Sequence, residues 1–357
     1  MVPVEGSLGP VVVIGAGLIG ASIGMALTAA GEQVHLVDAS NVHAVVAAGL
    51  GAGLVDYPQT ATIRLVVVAT PPSAVVQEVL EALELSPRAV VTDVASVKGA
   101  VLDKLRASGA DLSRYVGSHP MAGSQHAGPL TASGELFVDR TWVVCPRDEN
   151  DPEHVEVVRQ LAGTCGARIV EMAADDHDEA VAQVSHVPQL MSTLTAGNLR
   201  EVPEPHLQLA GQGIRDVTRI AGSDPVLWRQ IISANSEAVR AELDGIRRDL
   251  DELLSILDDP PRLEEFMARG RQGARTLPGK HGALPVDWEQ VVIEIPDAPG
   301  ALARLFADIG GEGINVEDLA IEHDSERKVG FLAVDVAPRE AASLREAMVS
   351  RGWSLRP

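Results

Sequence analysis

The stretch VVVIGAGLIG, from Val11 to Gly20, gives the clearest indication of the fold of this chain. Its apolar start predicts a strand that is buried on both faces, and Gly15, Gly17 and Gly20 form a G-x-G-x-x-G pattern. Glycines at these places allow a tight turn from strand to helix and let backbone amides approach a pyrophosphate. We therefore expect a dinucleotide-binding turn. The alternative is a glycine turn that only packs a helix on a sheet.

Four further apolar runs alternate with segments of helical length. They are VHLVD (Val34–Asp38), RLVVVAT (Arg64–Thr70), AVVTDV (Ala89–Val94) and TWVVC (Thr141–Cys145). This βαβ alternation predicts a doubly wound parallel sheet of the Rossmann type in residues 1–174.

The cofactor follows from the end of the second run. Asp38 lies 18 residues after Gly20, where a carboxylate accepts hydrogen bonds from an adenosine ribose and repels a 2′-phosphate. We therefore expect NAD rather than NADP. The residues expected to contact it are Gly15, Ala16, Gly17, Leu18, Ile19, Gly20, Asp38, Thr70 and Pro71.

Composition limits the classes of function. The chain has 357 residues, a formal net charge of −21 and 46% hydrophobic residues, which indicates a folded protein of two or three domains. The acidic balance argues against binding to nucleic acid or to an anionic membrane. Cys145 and Cys165 lie in apolar surroundings, which fits a reducing compartment. No basic residue precedes the uncharged stretch Gly6–Gly31, so we expect no signal peptide and a cytoplasmic protein.

Helical patterns replace the strands after residue 174. We expect a helix that begins with a solvated acidic turn near Asp175, rather than a metal site around His177, and a kink at Pro188. A longer helix is expected from Ser223-Asp224-Pro225, with an apolar stripe that packs on other helices, often those of a partner subunit. The stripe comprises Leu227, Ile231, Ile246, Leu250, Leu253 and Leu257. Residues 175–276 are interpreted as a helical substrate and dimerisation domain.

The remaining sequence returns to a strand pattern. LPGKHGALP (Leu277–Pro285) predicts a linker over residues 277–287. Residues 288–357 then follow the order βαββαβ, the ferredoxin-like plan. Within it, we expect a strand at Val291–Ile295, a helix from Ala301 and a second strand from Ile314.

Two further motifs carry groups that can act as a base or orient one. His119, in GSHPMAGS (Gly117–Ser124), is followed by proline at a strand end. It is expected at the carboxyl edge of the sheet, where ligands bind, although a lone histidine is often structural. Ser96, in SVKG (Ser96–Gly99), can either donate a hydrogen bond to His119 or cap the next helix.

A third motif carries two positive charges in this acidic chain. Arg215 and Arg219, in GIRDVTRIAGSDPVLW (Gly213–Trp228), lie one helical turn apart. Two guanidinium groups on one face suit a small dicarboxylate. The alternative is a surface ion-pair network around Asp216.

The strings GAGLIGAS, SVKG, GSHPMAGS, SHVPQ and RDVTRIAGSDPVLW, in this order and spacing, resemble prephenate dehydrogenase. The resemblance covers nearly the whole chain and implies a homodimer that converts prephenate to 4-hydroxyphenylpyruvate by oxidative decarboxylation, with NAD as hydride acceptor. It implies that His119 accepts the proton of the ring hydroxyl, that Arg219 binds a substrate carboxylate and that Ser96 orients the histidine and the substrate. It implies no metal.

The resemblance also implies a substrate pocket, in which Trp228 reaches the site from the partner subunit. Its residues are Ser124, Gln125, His186, Gln189, Arg215 and Trp228. The family often has glutamate at the position of Gln125 and a second histidine, in SHLPH, at the position of Gln189. A neutral amide at Gln125 weakens attraction of an amino group, which favours prephenate over arogenate. Arogenate dehydrogenase, 4-amino-4-deoxyprephenate dehydrogenase and a non-catalytic NAD-sensing regulator remain alternatives.

The tail, with PDAPG and GINVEDL, resembles an ACT regulatory domain. In such domains effectors commonly bind near the first helix start and the following strand, which implies effector contacts from Asp297, Gly300 and Asn315. Tyrosine, the end product of this branch, is the expected effector. The alternative is a domain that only dimerises.

Overall fold

The computed structural model describes residues 7–123, 128–277, 288–296, 298–316, 318–324 and 329–356. The chain divides into two compact units, Met1–Asp251 and Glu252–Pro357. Ser124, Gln125 and Asp297 lie outside the described residues, as does the predicted linker after Leu277. Within the described ranges, no helix combines the length and the apolar character needed to cross a membrane.

The first unit begins with a four-stranded parallel sheet in the order β2-β1-β3-β4. The strands are β1 (Val11–Ile14), β2 (Val34–Val37), β3 (Leu65–Val68) and β4 (Val90–Asp93). They are followed by α1 (Leu18–Ala29), α2 (Asn41–Gly49), α3 (Val75–Leu85) and α4 (Gly99–Ala107), respectively. Val11 and Val13 face one apolar core and Val12 faces another, so both sides of the sheet are covered. The predicted Rossmann-type α/β domain is confirmed.

The expectation of one fully parallel sheet is wrong for the strands after β4. A separate three-stranded sheet has the order β5-β6-β7, formed by β5 (Gly117–Pro120), β6 (Thr141–Cys145) and β7 (Arg168–Glu171). β5 is antiparallel to β6, because the described residues between them contain a 3₁₀ turn, Pro129–Thr131, and no crossover helix. α5 (Pro152–Thr164) supplies such a crossover, and β6 is accordingly parallel to β7.

Helices fill the rest of the first unit, as predicted. They are α6 (Ala174–Val181), a π-helical turn (Ala182–His186), α7 (Val187–Asn198), α8 (Glu204–Leu207), α9 (Gln212–Thr218), α10 (Pro225–Ala234) and α11 (Ser236–Ile256), in which the unit ends. Two 3₁₀ turns, Leu199–Glu201 and Arg219–Gly222, lie among them. The irregularity expected at Pro188 is the π-helical turn just before it.

The predicted long helix from Pro225 is two helices. Asp224 caps α10 by accepting a hydrogen bond from the Val226 amide at 2.8 Å. The helix ends at Ala234, and Asn235 leaves the helical conformation with φ −116° and ψ 31°. The Asn235 side chain is buried and hydrogen-bonded to another helix, which explains the break.

The second unit contains α12 (Pro260–Ala274) and a four-stranded antiparallel sheet in the order β11-β8-β10-β9. The elements of the sheet region are β8 (Glu289–Pro296), α13 (Ala301–Gly310), β9 (Asp318–Asp324), β10 (Val329–Val336), α14 (Pro338–Ser350) and β11 (Ser354–Arg356). Ile293, Leu305, Leu332 and Leu344 are fully buried between the sheet and its two helices.

One expected strand boundary in this unit is wrong. β9 begins at Asp318 rather than at Ile314. Asp318 already pairs with Asp335, the residue before the last one of β10, so a longer β9 would lack a partner strand. Asn315 therefore precedes the strand and is exposed.

Candidate active site

The glycine turn joins β1 to α1 in a geometry that requires glycine at two places. Gly15 has φ +100°, and a Cβ there would lie 2.5 Å from the carbonyl oxygen of Ala69. A Cβ on Gly20 would lie 1.8 Å from the carbonyl oxygen of Gly15. At Gly17 a Cβ would meet no described atom within 4 Å, so the backbone at the start of α1 is open to a ligand phosphate.

Two side chains beside this turn fit a dinucleotide. Asp38 follows β2, and its carboxylate accepts hydrogen bonds from the amides of Ala16 and Ser40, both at 2.7 Å. Thr70 follows β3, and its Oγ1 is buried without a hydrogen-bond partner among the described residues. Asp38 thus braces the glycine turn at the place where a ribose would lie, and Thr70 offers an unused polar atom nearby.

His119 lies on β5, directly beside the parallel sheet. Val116 donates from its amide to the carbonyl of Val91 at 3.0 Å, which keeps the chain entering β5 alongside β4. His119 is buried, and its Nδ1 lies 2.9 Å from Nε2 of His177, with the two rings edge to face. Burial, and then the neighbouring His177, Lys98 and His186, hold the pKa of His119 well below its usual value of 6.5. His119 is therefore a neutral imidazole at pH 7.

The acidic start of α6 is exposed at Asp175, Asp176 and Glu179, as the sequence predicted, but the two residues between Asp176 and Glu179 are buried. His177 is 0% exposed and Asp178 is buried as well. Asp178 Oδ1 lies 2.8 Å from His177 Nδ1 and also accepts from the Lys98 amide, while Oδ2 accepts from the Gly99 amide. Asp178 therefore caps α4 from a distant part of the chain. The run of charges around His177 concealed this role, because such runs are usually exposed.

A second buried histidine, His186, ends the π-helical turn. The side-chain amide of Asn235 donates to the carbonyl of Asp178 at 2.7 Å and to His186 Nδ1 at 3.0 Å. Since the amide nitrogen only donates, His186 Nδ1 accepts, and its hydrogen is on Nε2. Burial lowers the pKa of His186 to about 4, with His177 contributing and Asp178 opposing. We call His119, His177 and His186 the histidine cluster.

Trp228 and Asn235 both contact this cluster from α10 and its end. The Trp228 ring packs edge to face on His186, with 6.1 Å between ring centroids. Trp228 thus lies near the cluster of its own chain, and its expected contribution to a partner's site stays a prediction. Asn235 was missed at the sequence level, because an asparagine within a helical pattern gave no signal of burial.

An ion pair supports the backbone under His119. Lys98 and Asp93 are both buried and form a salt bridge, and Lys98 Nζ also donates to the carbonyl of Ser118 at 2.7 Å. Asp93 accepts from the hydroxyl of Tyr115 at 2.7 Å and from the amide of Ala95 at 2.9 Å. With these partners the buried charges are compensated, and the residue preceding His119 is held in place.

Neither expectation for Ser96 is met in the described structure. The hydrogen bonds at the start of α4 come from Asp178, and His119 Nδ1 is engaged by His177. Ser96 is half-buried and forms no hydrogen bond with the described residues. Its role in orienting substrate stays a prediction.

Arg215 and Arg219 are both exposed, on α9 and on the 3₁₀ turn that follows it. We call residues 215–219 the arginine segment. The Asp216 carboxylate accepts from Gln212 Nε2 at 2.7 Å. Whether the two guanidinium groups bind one dicarboxylate stays a prediction.

The arginine segment is tied to the histidine cluster through α7. Gln189 is buried, and its Nε2 donates to the carbonyl of Ile220 at 3.0 Å. Ser192 Oγ accepts from the amide of Ala221 at 3.2 Å. His186 lies three residues before Gln189, at the start of the same helix. The residue that departs from the family string thus anchors the turn that contains Arg219.

Among the described residues, no group of three or more His, Cys, Asp or Glu side chains is arranged to hold a metal ion.

Comparison with known proteins gives consistent matches. The chain matches the model of the prephenate dehydrogenase nucleotide-binding domain over residues 23–171 and that of the prephenate dehydrogenase dimerization domain over residues 173–269. It is 34% identical to the probable prephenate dehydrogenase NovF of Streptomyces niveus, over 96% of this chain and 98% of that protein. It is 30% identical to the 4-amino-4-deoxyprephenate dehydrogenase of Streptomyces pristinaespiralis, over 76% and 92%.

A solved structure gives a similar result. The crystal structure of Synechocystis arogenate dehydrogenase superimposes with a TM-score of 0.65 at 27% identity, over 74% of this chain and 98% of that chain. The predicted cofactor, NAD, is confirmed by the match to the nucleotide-binding domain, and the glycine turn fits it.

Proposed function

Because the chain belongs to the prephenate dehydrogenase family, we propose that it catalyses the NAD-dependent oxidative decarboxylation of prephenate to 4-hydroxyphenylpyruvate. One observation carries the proposal. His119 is a buried, neutral imidazole whose Nδ1 is engaged by His177, which leaves Nε2 for a substrate proton. This is the arrangement that a general base requires near neutral pH.

In the proposed reaction, His119 is a base that first accepts a proton and later returns it. Nε2 accepts the proton of the ring hydroxyl while a hydride leaves the ring carbon that bears this hydroxyl. Loss of carbon dioxide then makes the ring aromatic and places the electron pair on the ring oxygen. That oxygen takes the proton back from His119, so the products are 4-hydroxyphenylpyruvate, carbon dioxide and reduced cofactor. Arg219 binds a substrate carboxylate, and His186 presents an N–H donor beside the base.

NAD supplies the hydride acceptor when it is bound. Gly17 opens the start of α1 to the pyrophosphate, and Thr70 offers its buried hydroxyl. In this proposal Asp38 accepts hydrogen bonds from the ribose and repels a 2′-phosphate, which favours NAD over NADP.

Prephenate is preferred over its amino analogues in this proposal. Gln125 replaces the acidic side chain that would attract an amino group. Arogenate and 4-amino-4-deoxyprephenate are the competing substrates, since proteins that act on them are similar to this chain over about three quarters of its length. Prephenate and arogenate share the ring hydroxyl on which His119 acts, whereas 4-amino-4-deoxyprephenate carries an amino group in its place.

The experiment is a steady-state comparison of prephenate, arogenate and 4-amino-4-deoxyprephenate, each with NAD and with NADP. We expect the highest kcat/KM for prephenate with NAD. A higher kcat/KM for either amino compound would show that this compound, and not prephenate, is the preferred substrate. A higher kcat/KM with NADP would contradict the role proposed for Asp38. Binding of NAD with no NADH formed from any of the three would favour a regulator without turnover.

We also propose that the enzyme is a homodimer formed through the helical domain. Leu227 and Leu250, on α10 and α11, are exposed although both belong to the predicted apolar stripe. Exposed leucines on a helix face indicate a surface that another protein covers. The matched dimerization domain, residues 173–269, includes both positions.

The C-terminal unit is proposed as a ferredoxin-like ACT domain that binds tyrosine. Its elements follow the order strand, helix, strand, strand, helix, strand. Gly300 has φ +84° and directly precedes α13, whose first amide, that of Ala301, donates to the carbonyl of Ala298 at 3.1 Å. The amides that follow it at the helix start are proposed to bind the effector carboxylate. Asn315 is exposed in the segment before β9 and offers a donor and an acceptor.

Regulation through this unit predicts that inhibition by tyrosine depends on residues after the linker. Tyrosine is titrated against the full chain and against a shortened chain that ends at Pro285. Coupling between two sites is typically about 1–3 kcal/mol, so the half-inhibiting concentration is expected to rise roughly 5–150-fold on shortening. Inhibition that survives unchanged would instead place tyrosine at the active site, as a competitor that resembles the product.

A further inference from the structure

We propose that His177 and Asp178 are a positioning pair that sets the tautomer of His119, a role that rests on the proposed use of His119 as the base. The three side chains form a continuous line of hydrogen bonds. Asp178 Oδ1 lies 2.8 Å from His177 Nδ1, and His177 Nε2 lies 2.9 Å from His119 Nδ1. No residue of this line except His119 was expected at the site from the sequence.

The direction of each hydrogen bond follows from the carboxylate. An ionised carboxylate only accepts, so the hydrogen of His177 is on Nδ1 and points to Asp178. In a neutral imidazole the other nitrogen then accepts, so His177 Nε2 takes the hydrogen bond from His119 Nδ1–H. His119 Nε2 is left without a hydrogen, which is the form that can accept a proton from substrate.

Asp178 is itself fixed from two sides. Its carboxylate accepts from the amides of Lys98 and Gly99 at the start of α4, both at 2.8 Å. Its backbone carbonyl accepts from the side chain of Asn235 at 2.7 Å. A carboxylate held by two helix-start amides has little freedom to rotate, so the His177 ring between it and His119 is oriented as well.

The pair also lies where it stabilises the charge that forms during the reaction. When Nε2 accepts a proton, His119 becomes an imidazolium and its Nδ1–H still donates to His177. The negative charge of Asp178 lies on the far side of His177, inside a buried cluster where charges are weakly screened. An aspartate performs the same two tasks, fixing a tautomer and stabilising an imidazolium, in serine-protease triads.

Two substitutions of His177 distinguish a role in positioning His119 from a role in packing alone. His177→Phe keeps a ring but removes the acceptor for His119 Nδ1. His177→Gln keeps an oxygen that can accept this hydrogen bond. We expect kcat to fall about 100-fold in His177→Phe, the lower end of what a general base contributes, with little change in KM or NAD affinity. His177→Gln should recover a substantial part of kcat.

The control is His154→Phe. His154 lies on α5 and pairs through Nδ1 with the carbonyl of Ser113 at 3.1 Å, away from the histidine cluster. We expect it to keep the kcat of the wild type. Equal kcat values for His177→Phe and the wild type, or equal losses for His177→Phe and His177→Gln, would overturn the proposal.

A second measurement reads the tautomer without substrate. Nitrogen-15 NMR of imidazole groups, with His119→Asn used to identify the His119 signals, should show hydrogen on Nδ1 and none on Nε2 in the wild type. A hydrogen on Nε2 of His119 would overturn the positioning role even if both His177 variants failed to fold. The result is independent of which substrate the enzyme prefers, so it also distinguishes failure of this inference from failure of the proposed function.

Discussion

The histidine cluster and the arginine segment belong to the same unit but are built in opposite ways. The three histidines are buried, and each is held by at least one side-chain hydrogen bond. Arg215 and Arg219 are exposed, and the turn that carries Arg219 is fixed through its backbone by Gln189 and Ser192. In the proposed mechanism, the groups that move a proton are held in place before substrate arrives, whereas the groups that bind its carboxylates lie at exposed positions.

The largest effect on stability is expected from the ion pair under the cluster. Lys98→Met leaves the buried carboxylate of Asp93 without its cation, which typically costs about 3–5 kcal/mol. We expect a loss of this size in the free energy of unfolding, measured with urea. The double variant Lys98→Met/Asp93→Asn carries neither charge of this pair and should recover most of the loss. A single variant as stable as the wild type would show that the cluster does not depend on this support.

The next largest effect is expected in the arginine segment, and it should be on binding alone. Arg219→Ala removes the proposed partner of a substrate carboxylate, a loss that typically costs about 2–5 kcal/mol. KM for prephenate should rise strongly while NAD affinity stays near that of the wild type. Arg200→Ala, at an exposed position in the same domain, is the control. An equal loss of affinity for both ligands would indicate a structural arginine.

A smaller effect is expected where the two regions are joined. Gln189→Ala removes the hydrogen bond to the carbonyl of Ile220, worth about 1 kcal/mol, or roughly fivefold in kcat/KM for prephenate. Thr193→Ala is a matched control, because its hydroxyl bonds only within α7 to the carbonyl of Gln189. If both variants behave alike, Gln189 does not position the arginine segment.

The strands and the glycine turn could be predicted because they depend on local patterns. Val11–Ile14 is apolar without interruption, and the glycine pattern follows it directly, although the close contact of Gly15 is with Ala69, which follows β3. The antiparallel pairing of β5 with β6 could not be predicted from TWVVC, since an apolar run does not indicate whether its neighbouring strand is parallel or antiparallel.

The histidine cluster was only partly predictable for a similar reason. His119 is marked by the proline after it and by its place at a strand end. His177 and Asp178 lie in a run of acidic residues that is typical of an exposed helix start. They are nevertheless buried, and Asp178 caps α4 there. Asn235 bonds to partners 49 and 57 residues away, which no local pattern contains.

The proposed role of His119 as the base is best examined with His119→Asn. Asparagine keeps a polar side chain of similar reach but cannot accept the proton. We expect turnover of prephenate to fall roughly 10²–10⁴-fold, measured as formation of NADH, while the dissociation constant of NAD stays that of the wild type. Turnover at the wild-type rate in a variant that binds NAD normally would show that His119 is not the base.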